Sequence, residues 1–300
     1  MKKRIFTTLL ALSMITVLTV GCSSNADTTS ATTNETEEAG TKEENSDTAQ
    51  DSTSTADSEL QAIKDAGVLK VGCKADVPSF GLQNTEKGEF EGLEVDLSYA
   101  VAAKIFGVTD EEAKEKKLVE FQGVTAKTRG ALLDNGEIDM VAATFTITEE
   151  RKESWNFSTP YMQDAIGLMC LKAAGYETMQ DLDGAIIGVA QGSTTKDAVE
   201  NYIQEQGLGI TVEYQEFDGY PALSAALVSG NIDIFAVDRA ILAGYNDDTT
   251  MILSERFGTQ DYGVATALYA EELTEIVDQV VNEMLDSGEM NQLIEKWGIE

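Results

Sequence analysis

Thr144, Thr146 and Arg151 lie in one short segment, Gly192-Ser193-Thr194 in a second and Asp238 in a third. Together they offer partners to both ends of a small zwitterion such as a free amino acid. A guanidinium holds a carboxylate through two parallel hydrogen bonds, and hydroxyls and free helix-start amides take up its remaining lone pairs. Arg151 with Thr144, Thr146, Ser193 and Thr194 suits the carboxylate, and Asp238 suits an ammonium. This is recognition chemistry rather than bond-breaking chemistry. Each residue also has a plainer reading. Arg151 could pair with Glu149 or Glu150 at the surface, Ser193 and Thr194 could cap a helix, and Asp238 sits where an N-cap would fall.

Residues 1–21 stand apart from the fold. Met1-Lys2-Lys3-Arg4 is basic, the next stretch is apolar but short for a spanning helix, and Gly21-Cys22 follows, the layout of a secretory signal peptide. The run Leu18-Thr19-Val20-Gly21-Cys22 resembles a bacterial lipoprotein cleavage site, with Thr19 where Leu is more usual. That resemblance implies lipidation of Cys22; the alternative is an ordinary signal with an incidental cysteine. The stretch 22–57 is rich in Ser, Thr, Asp, Glu and Asn and has no aromatic residue, so it is expected to be a disordered acidic tether. A flexible chain of roughly 35 residues spans about 30 Å, and charge repulsion extends it further.

The remaining 58–300 is long for one compact domain, and two lobes are expected. Without Lys2, Lys3 and Arg4 the formal charge moves from −32 to −35, which argues against nucleic acid or anionic membrane surfaces as partners. With a histidine count of 0, His-based metal sites and Ser-His or Cys-His nucleophile pairs are excluded, and no cofactor is expected. Cys73 and Cys170 read as buried small hydrophobes or as a disulfide.

Short apolar runs alternate with amphipathic helical stretches, as in α/β proteins. Strands are expected at 68–73, 118–121 and 138–142, with helices at 95–106 and near 126–133 between them, and this order implies parallel pairing. After Pro160-Tyr161 the pattern restarts with strands at 166–171, 186–190, 212–214 and 232–237 and a helix from about Thr194. A strand at 263–268 then precedes helices at 271–285 and 290–297.

Several segments resemble the bacterial solute-binding proteins that deliver polar amino acids to ABC importers. They are Gly92-Leu93-Glu94-Val95-Asp96-Leu97, the run from Thr144 to Arg151, Phe157-Ser158-x-Pro160-Tyr161, Gln191 to Thr194, Asp233 to Asp238 and Leu293 to Trp297. Their order and spacing carry more weight than any single match. The resemblance implies a type II periplasmic-binding-protein-like α/β fold: two lobes, each a central sheet flanked by helices, with the ligand cleft between them and two crossover hinges. The crossings would fall near 161–165 and 258–262. Lobe 1 would be 58–161 plus 263–300, with hinge strands and lobe 2 at 162–262, and closure about the hinges is the expected motion.

By the same resemblance Arg151 clamps the α-carboxylate, helped by Thr144, Thr146, Ser193 and Thr194, while Asp238 and Thr144 receive the α-ammonium. Lys74 stands where glutamate and aspartate binders carry a lysine. Arg129 shares a helix face with Leu132 and Leu133 and should point inward, toward the ligand's side-chain carboxylate or toward Asp96 or Asp139. Tyr220 either adds a phenolic contact or is a helix-start core aromatic. Ala126 stands where many basic-amino-acid and glutamine binders place a stacking aromatic. The expected protein is a monomeric, lipid-anchored, non-enzymatic component working with a permease and an ATPase, on the outer face of the cytoplasmic membrane or as a periplasmic lipoprotein. Glutamate or aspartate is the expected ligand, with glutamine or asparagine as the alternative. A dehydratase on the same scaffold and a receptor-kinase sensor domain are more remote readings, the latter set against a chain that ends at Glu300 without a spanning segment.

Overall fold

The computed structural model describes residues 58–299, so the signal segment, Cys22 and the tether lie outside the described residues. The first of two large sheets has the strand order Val119–Val124, Leu69–Lys74, Met140–Ala142, Ala265–Ala267, Trp155–Phe157. Leu69–Lys74 is buried at every position but one, as befits a central strand covered on both faces. It pairs in parallel with both neighbours, whereas Ala265–Ala267 pairs antiparallel with Met140–Ala142 on one side and with Trp155–Phe157 on the other. The parallel pairing expected of the first three strands is thus observed, and Ala265–Ala267 can run the other way because it follows directly on the preceding strand Phe257–Tyr262 without a helical crossover.

The second sheet runs Glu213–Phe217, Ile186–Ala190, Ile234–Asp238, Met162–Leu171, Thr250–Ile252, and Phe257–Tyr262 pairs with Met162–Leu171. Each large sheet with its helices forms one lobe. Met162–Leu171 and Phe257–Tyr262 form an antiparallel pair whose far end reaches the first lobe, where Tyr161 N donates to Tyr262 O at 2.9 Å and Gly263 N to Phe145 O at 3.1 Å. The ladder shifts register at Gly258, whose φ of +57° and close approach to Ala198 Cβ require a glycine.

Helix Leu93–Phe106 ends at the left-handed Gly107, where the sequence places its stop. It starts at Gly92, φ 139°, where a Cβ would lie 2.1 Å from Phe80 O. The terminal helices are Glu271–Ser287 and Glu289–Lys296. Elements the sequence reading passed over are short: helix Glu59–Ala66, helix Asp110–Glu115, the three-stranded sheet Asp76–Val77, Gly81–Gln83, Phe90–Glu91, and strands Trp155–Phe157 and Thr250–Ile252. Two of them had a legible signal: Glu59–Ala66, with Ser58 as N-cap and the left-handed Gly67 as its stop, and Asp110–Glu115, with the capping box of Thr109 and Glu112. Cys73 and Cys170 are free, buried thiols in different sheets, so the disulfide alternative fails.

Candidate functional site

Helix Leu93–Phe106 carries Glu94 at its second position, fully buried, and its Oε1 accepts from Thr144 N and from the Tyr161 hydroxyl. Thr144 has φ 45°, unusual for a β-branched residue, and the Glu94 carboxylate holds its amide in that conformation. The Thr144 carbonyl is thereby turned to Arg129, whose Nη1 donates to both Ala143 O and Thr144 O. Arg129 opens helix Arg129–Asp134, is 3% exposed and stacks on Phe145 at 3.9 Å from the ring centroid. It does point inward, but neither Asp96 nor Asp139 meets it. Asp96 binds Lys114, Lys296 and Trp297, and Asp139 accepts from Lys70 N.

Arg151 lies in the short helix Glu149–Lys152 and reaches across the lobes, Nη1 to Thr146 O at 2.7 Å and Nη2 to Gly192 O at 3.0 Å. The surface pairing with Glu149 or Glu150 does not form: Glu149 pairs with Lys152, and Glu150 favours the Arg151 charge without an ion pair to it. A guanidinium has five N–H donors, so after these two bonds Arg151 keeps donors for an incoming anion. Burial opposes the charged forms of Arg129 and Arg151, and their mutual repulsion acts in the same direction on Arg151.

The hydroxyls are less free than the sequence suggested. Thr146 Oγ1 and Thr194 Oγ1, from opposite lobes, both donate to Gln260 Oε1, at 2.6 and 2.8 Å. Gln260 is buried on strand Phe257–Tyr262 and was not among the expected site residues; a polar residue inside the crossing strand was its only signal. Ser193 Oγ donates to Ala190 O at 2.7 Å. Thr194 stands at the N-cap of Thr195–Glu205 without a side-chain capping bond, so capping does not explain it.

Asp238 likewise occupies an N-cap position, before Arg239–Tyr245, and makes no capping bond. That task falls to Asp164, whose Oδ2 accepts from Ala240 N at 2.8 Å. The buried Asp238 carboxylate turns instead to the Tyr262 hydroxyl. Burial raises its pKa to about 7, with the Tyr262 hydrogen bond and the two arginines opposing the rise. Lys74, 1% exposed, does not stand free: its Nζ lies 3.2 Å from Asp76 Oδ1 and 4.4 Å from the Tyr220 ring centroid. Tyr220 is both a buried helix-start aromatic, packed near Phe235 and Tyr245, and a member of this group, since its ring faces Lys74.

Arg129 Nε and Thr144 Oγ1 are buried without a hydrogen-bond partner, as is Glu94 Oε2. Unpartnered buried donors and acceptors are costly, and their convergence here, beside Asp238 and Arg151, is what a polar ligand site requires. A cavity of about 720 Å³ is lined by Arg151, Thr146, Ser193, Thr194, Gln260 and Tyr202 among others, whereas Thr144, Arg129, Lys74, Tyr220 and Asp238 do not line it. Charged and hydroxyl groups from both lobes therefore meet around one polar centre between two α/β lobes joined by paired strands.

That geometry has relatives. The profile of the bacterial extracellular solute-binding proteins, family 3, matches residues 69–300. The chain belongs to this family. A glutamine-binding protein of Geobacillus stearothermophilus is 34% identical over 262 residues, covering 86% of this chain and 90% of that protein. A glutamate-binding protein of Corynebacterium glutamicum is 30% identical over 245 residues, covering 78% of this chain and 79% of its own length. Among solved structures, an ancestral arginine-binding protein bound to arginine superposes with a TM-score of 0.65 at 31% identity, over 77% of this chain and 98% of that one. This family 3 protein thus has the type II periplasmic-binding fold and is an amino-acid-binding component of an ABC importer.

Proposed function

We propose that this family 3 protein captures an acidic L-amino acid, glutamate or aspartate, between its lobes and delivers it to the permease and ATPase of its importer while lipid-anchored through Cys22. Arg151 receives the α-carboxylate with Thr144, whose hydroxyl is unpartnered, and with Thr146, Ser193 and Thr194 once the ligand replaces the acceptors their hydroxyls now bond, and Asp238 receives the α-ammonium beside Thr144. The ligand's side chain runs toward Arg129, Lys74 and Tyr220. The lobes, 58–161 with 263–300 and 162–262, close about the paired strands Met162–Leu171 and Phe257–Tyr262. The bonds of Arg151 to Gly192 O and of Gln260 to threonines of both lobes support that motion, because opening the lobes breaks them.

Arg129 carries the choice of ligand. The buried guanidinium is bonded to backbone carbonyls, with Nε unpartnered and no carboxylate bonded directly to it, although Glu94 and Asp238 favour its charge, and a ligand side-chain carboxylate would supply the direct partner. A second reading, glutamine or asparagine, draws on the Lys74–Asp76 ion pair, which neutralises the other expected cation, and on glutamine-binding relatives. Calorimetric titration of the 58–300 fragment with the common L-amino acids decides between them. Arg129→Gln is expected to weaken glutamate or aspartate at least about tenfold while affecting the amides far less, since an amide places no full charge opposite the lost cation. Equal losses for glutamate and glutamine would make Arg129 a structural residue.

Anchoring rests on Cys22 at the end of the signal segment. Wild-type protein is expected in the membrane fraction, because a diacylglycerol group would supply a membrane affinity that an acidic chain does not. Cys22→Ala is expected to be soluble or to retain its signal. Unmodified wild type recovered in the soluble fraction would refute the anchor.

A further inference from the structure

Asp76 begins strand Asp76–Val77, just beyond Lys74 at the end of the central strand of the first lobe. We propose that Asp76 is a specificity-determining residue: it neutralises Lys74 and fastens it to the second lobe, leaving Arg129 as the side-chain cation that meets the ligand. This rests on the placement of the ligand side chain proposed above.

Three contacts carry the assignment. Asp76 Oδ1 lies 3.2 Å from Lys74 Nζ within its own lobe. Asp76 Oδ2 accepts from Tyr220 N at 3.3 Å, at the start of the second-lobe helix Tyr220–Ser229. The Asp76 backbone carbonyl accepts from the Tyr245 hydroxyl, also of the second lobe. The carboxylate therefore lies between an ammonium and an amide at the start of a helix. Gly219 makes room for this approach, since a Cβ there would stand 3.3 Å from Asp76 Oδ2. The Lys74 ammonium, 4.4 Å from the Tyr220 ring centroid, completes a contact that exists only with the lobes together.

The electrostatic consequence concerns selectivity. Lys74 and Arg129 are both buried and repel each other. Without Asp76 they would present two cations to the ligand side chain and favour a carboxylate strongly over an amide. With it, the second cation is cancelled locally, and the preference is set by Arg129. Asp76 thus limits how strongly the site distinguishes an acid from its amide, and it is engaged only on closure.

Titration of wild type, Asp76→Asn, Lys74→Met and the double variant with L-glutamate and L-glutamine, at one pH and ionic strength, tests this. The isosteric Asp76→Asn keeps an oxygen for Tyr220 N–H but frees the Lys74 charge, so the ratio of glutamate to glutamine affinity is expected to rise at least about tenfold. Lys74→Met leaves the Asp76 charge uncancelled and is expected to lower the ratio by a similar factor. The double variant, with both charges gone, is expected to return to within about threefold of the wild-type ratio. An unchanged or lower ratio in Asp76→Asn overturns the proposal. So does a double variant that stays as low as Lys74→Met, for Lys74 would then act on the ligand directly. If Asp76→Asn does not fold, the comparison of Lys74→Met with the double variant decides alone. Which ligand wild type prefers tests the ligand reading, whereas the direction of change on substitution tests Asp76 whichever ligand that is.

Discussion

Arg151→Ala is expected to weaken every amino-acid ligand, acidic and neutral alike, by about 2 to 5 kcal/mol, the usual cost of removing one partner from a desolvated charge pair. The α-carboxylate is common to all of them, so the loss should not discriminate between side chains, in contrast to Arg129→Gln. The loss has a second component. Arg151 Nη2 bonds Gly192 O across the lobes, so truncation also removes a contact that holds the lobes together. Calorimetry of wild type and variant with glutamate, aspartate and glutamine measures both components, and a loss confined to acidic ligands would move Arg151 from the α-carboxylate to the side-chain end. Arg151→Lys is expected to recover only part of the loss, because an ammonium cannot bond Thr146 O, Gly192 O and a carboxylate in the planar fork of a guanidinium.

Acidification is expected to release the ligand well above the pH at which ordinary carboxylates titrate. Burial raises the Asp238 carboxyl to about 7, Asp164 adds to the rise, and Tyr262, Arg129 and Arg151 oppose it. Only the ionised form attracts an ammonium. With Asp238 protonated in the free protein below about 7, affinity should fall roughly tenfold per pH unit beneath that point, or about a hundredfold by pH 5, and level off above it. The sign reverses for folding of the ligand-free protein. A carboxyl whose folded-state pKa is raised contributes stability at low pH that is lost as pH climbs from its ordinary 3.8 through about 7. Titrations between pH 5 and 8, paired with Asp238→Asn, measure the effect. The variant should bind weakly at every pH and lose the slope, and a slope that survives in it would assign the proton to another group.

Much of the architecture was legible because it follows from local rules. Apolar runs bounded by turn residues located both central strands and their neighbours, and Gly107 marked the end of Leu93–Phe106 because a left-handed residue there requires glycine. Two-residue strands such as Asp76–Val77 and Phe90–Glu91 are too short to repeat a hydrophobic pattern, and their existence depends on the bodies they pack against.

The candidate site divides along the same line. Residue type and spacing singled out Arg151, Asp238 and Arg129, since a carboxylate, an ammonium and an inward-facing helix position each demand a particular side chain. Their partners were settled by the tertiary fold. Asp238 is available because Asp164, distant in sequence, caps the helix in its place. Thr146 and Thr194 are occupied because Gln260 comes between them on the crossing strand. Arg129 has no carboxylate bonded to it because Asp96 and Asp139 are engaged elsewhere and the nearer Glu94 and Asp238 bond Thr144, Tyr161 and Tyr262. Lys74 is cancelled by Asp76, two residues away, whose other oxygen meets the second lobe. Sequence by itself determined which groups could be charged and which positions would be buried, because charge belongs to the residue and burial follows the local hydrophobic period. Which of those charges already has a partner was decided only when distant segments met, since a hydrogen bond depends on distance and direction in space, and neither is written along the chain.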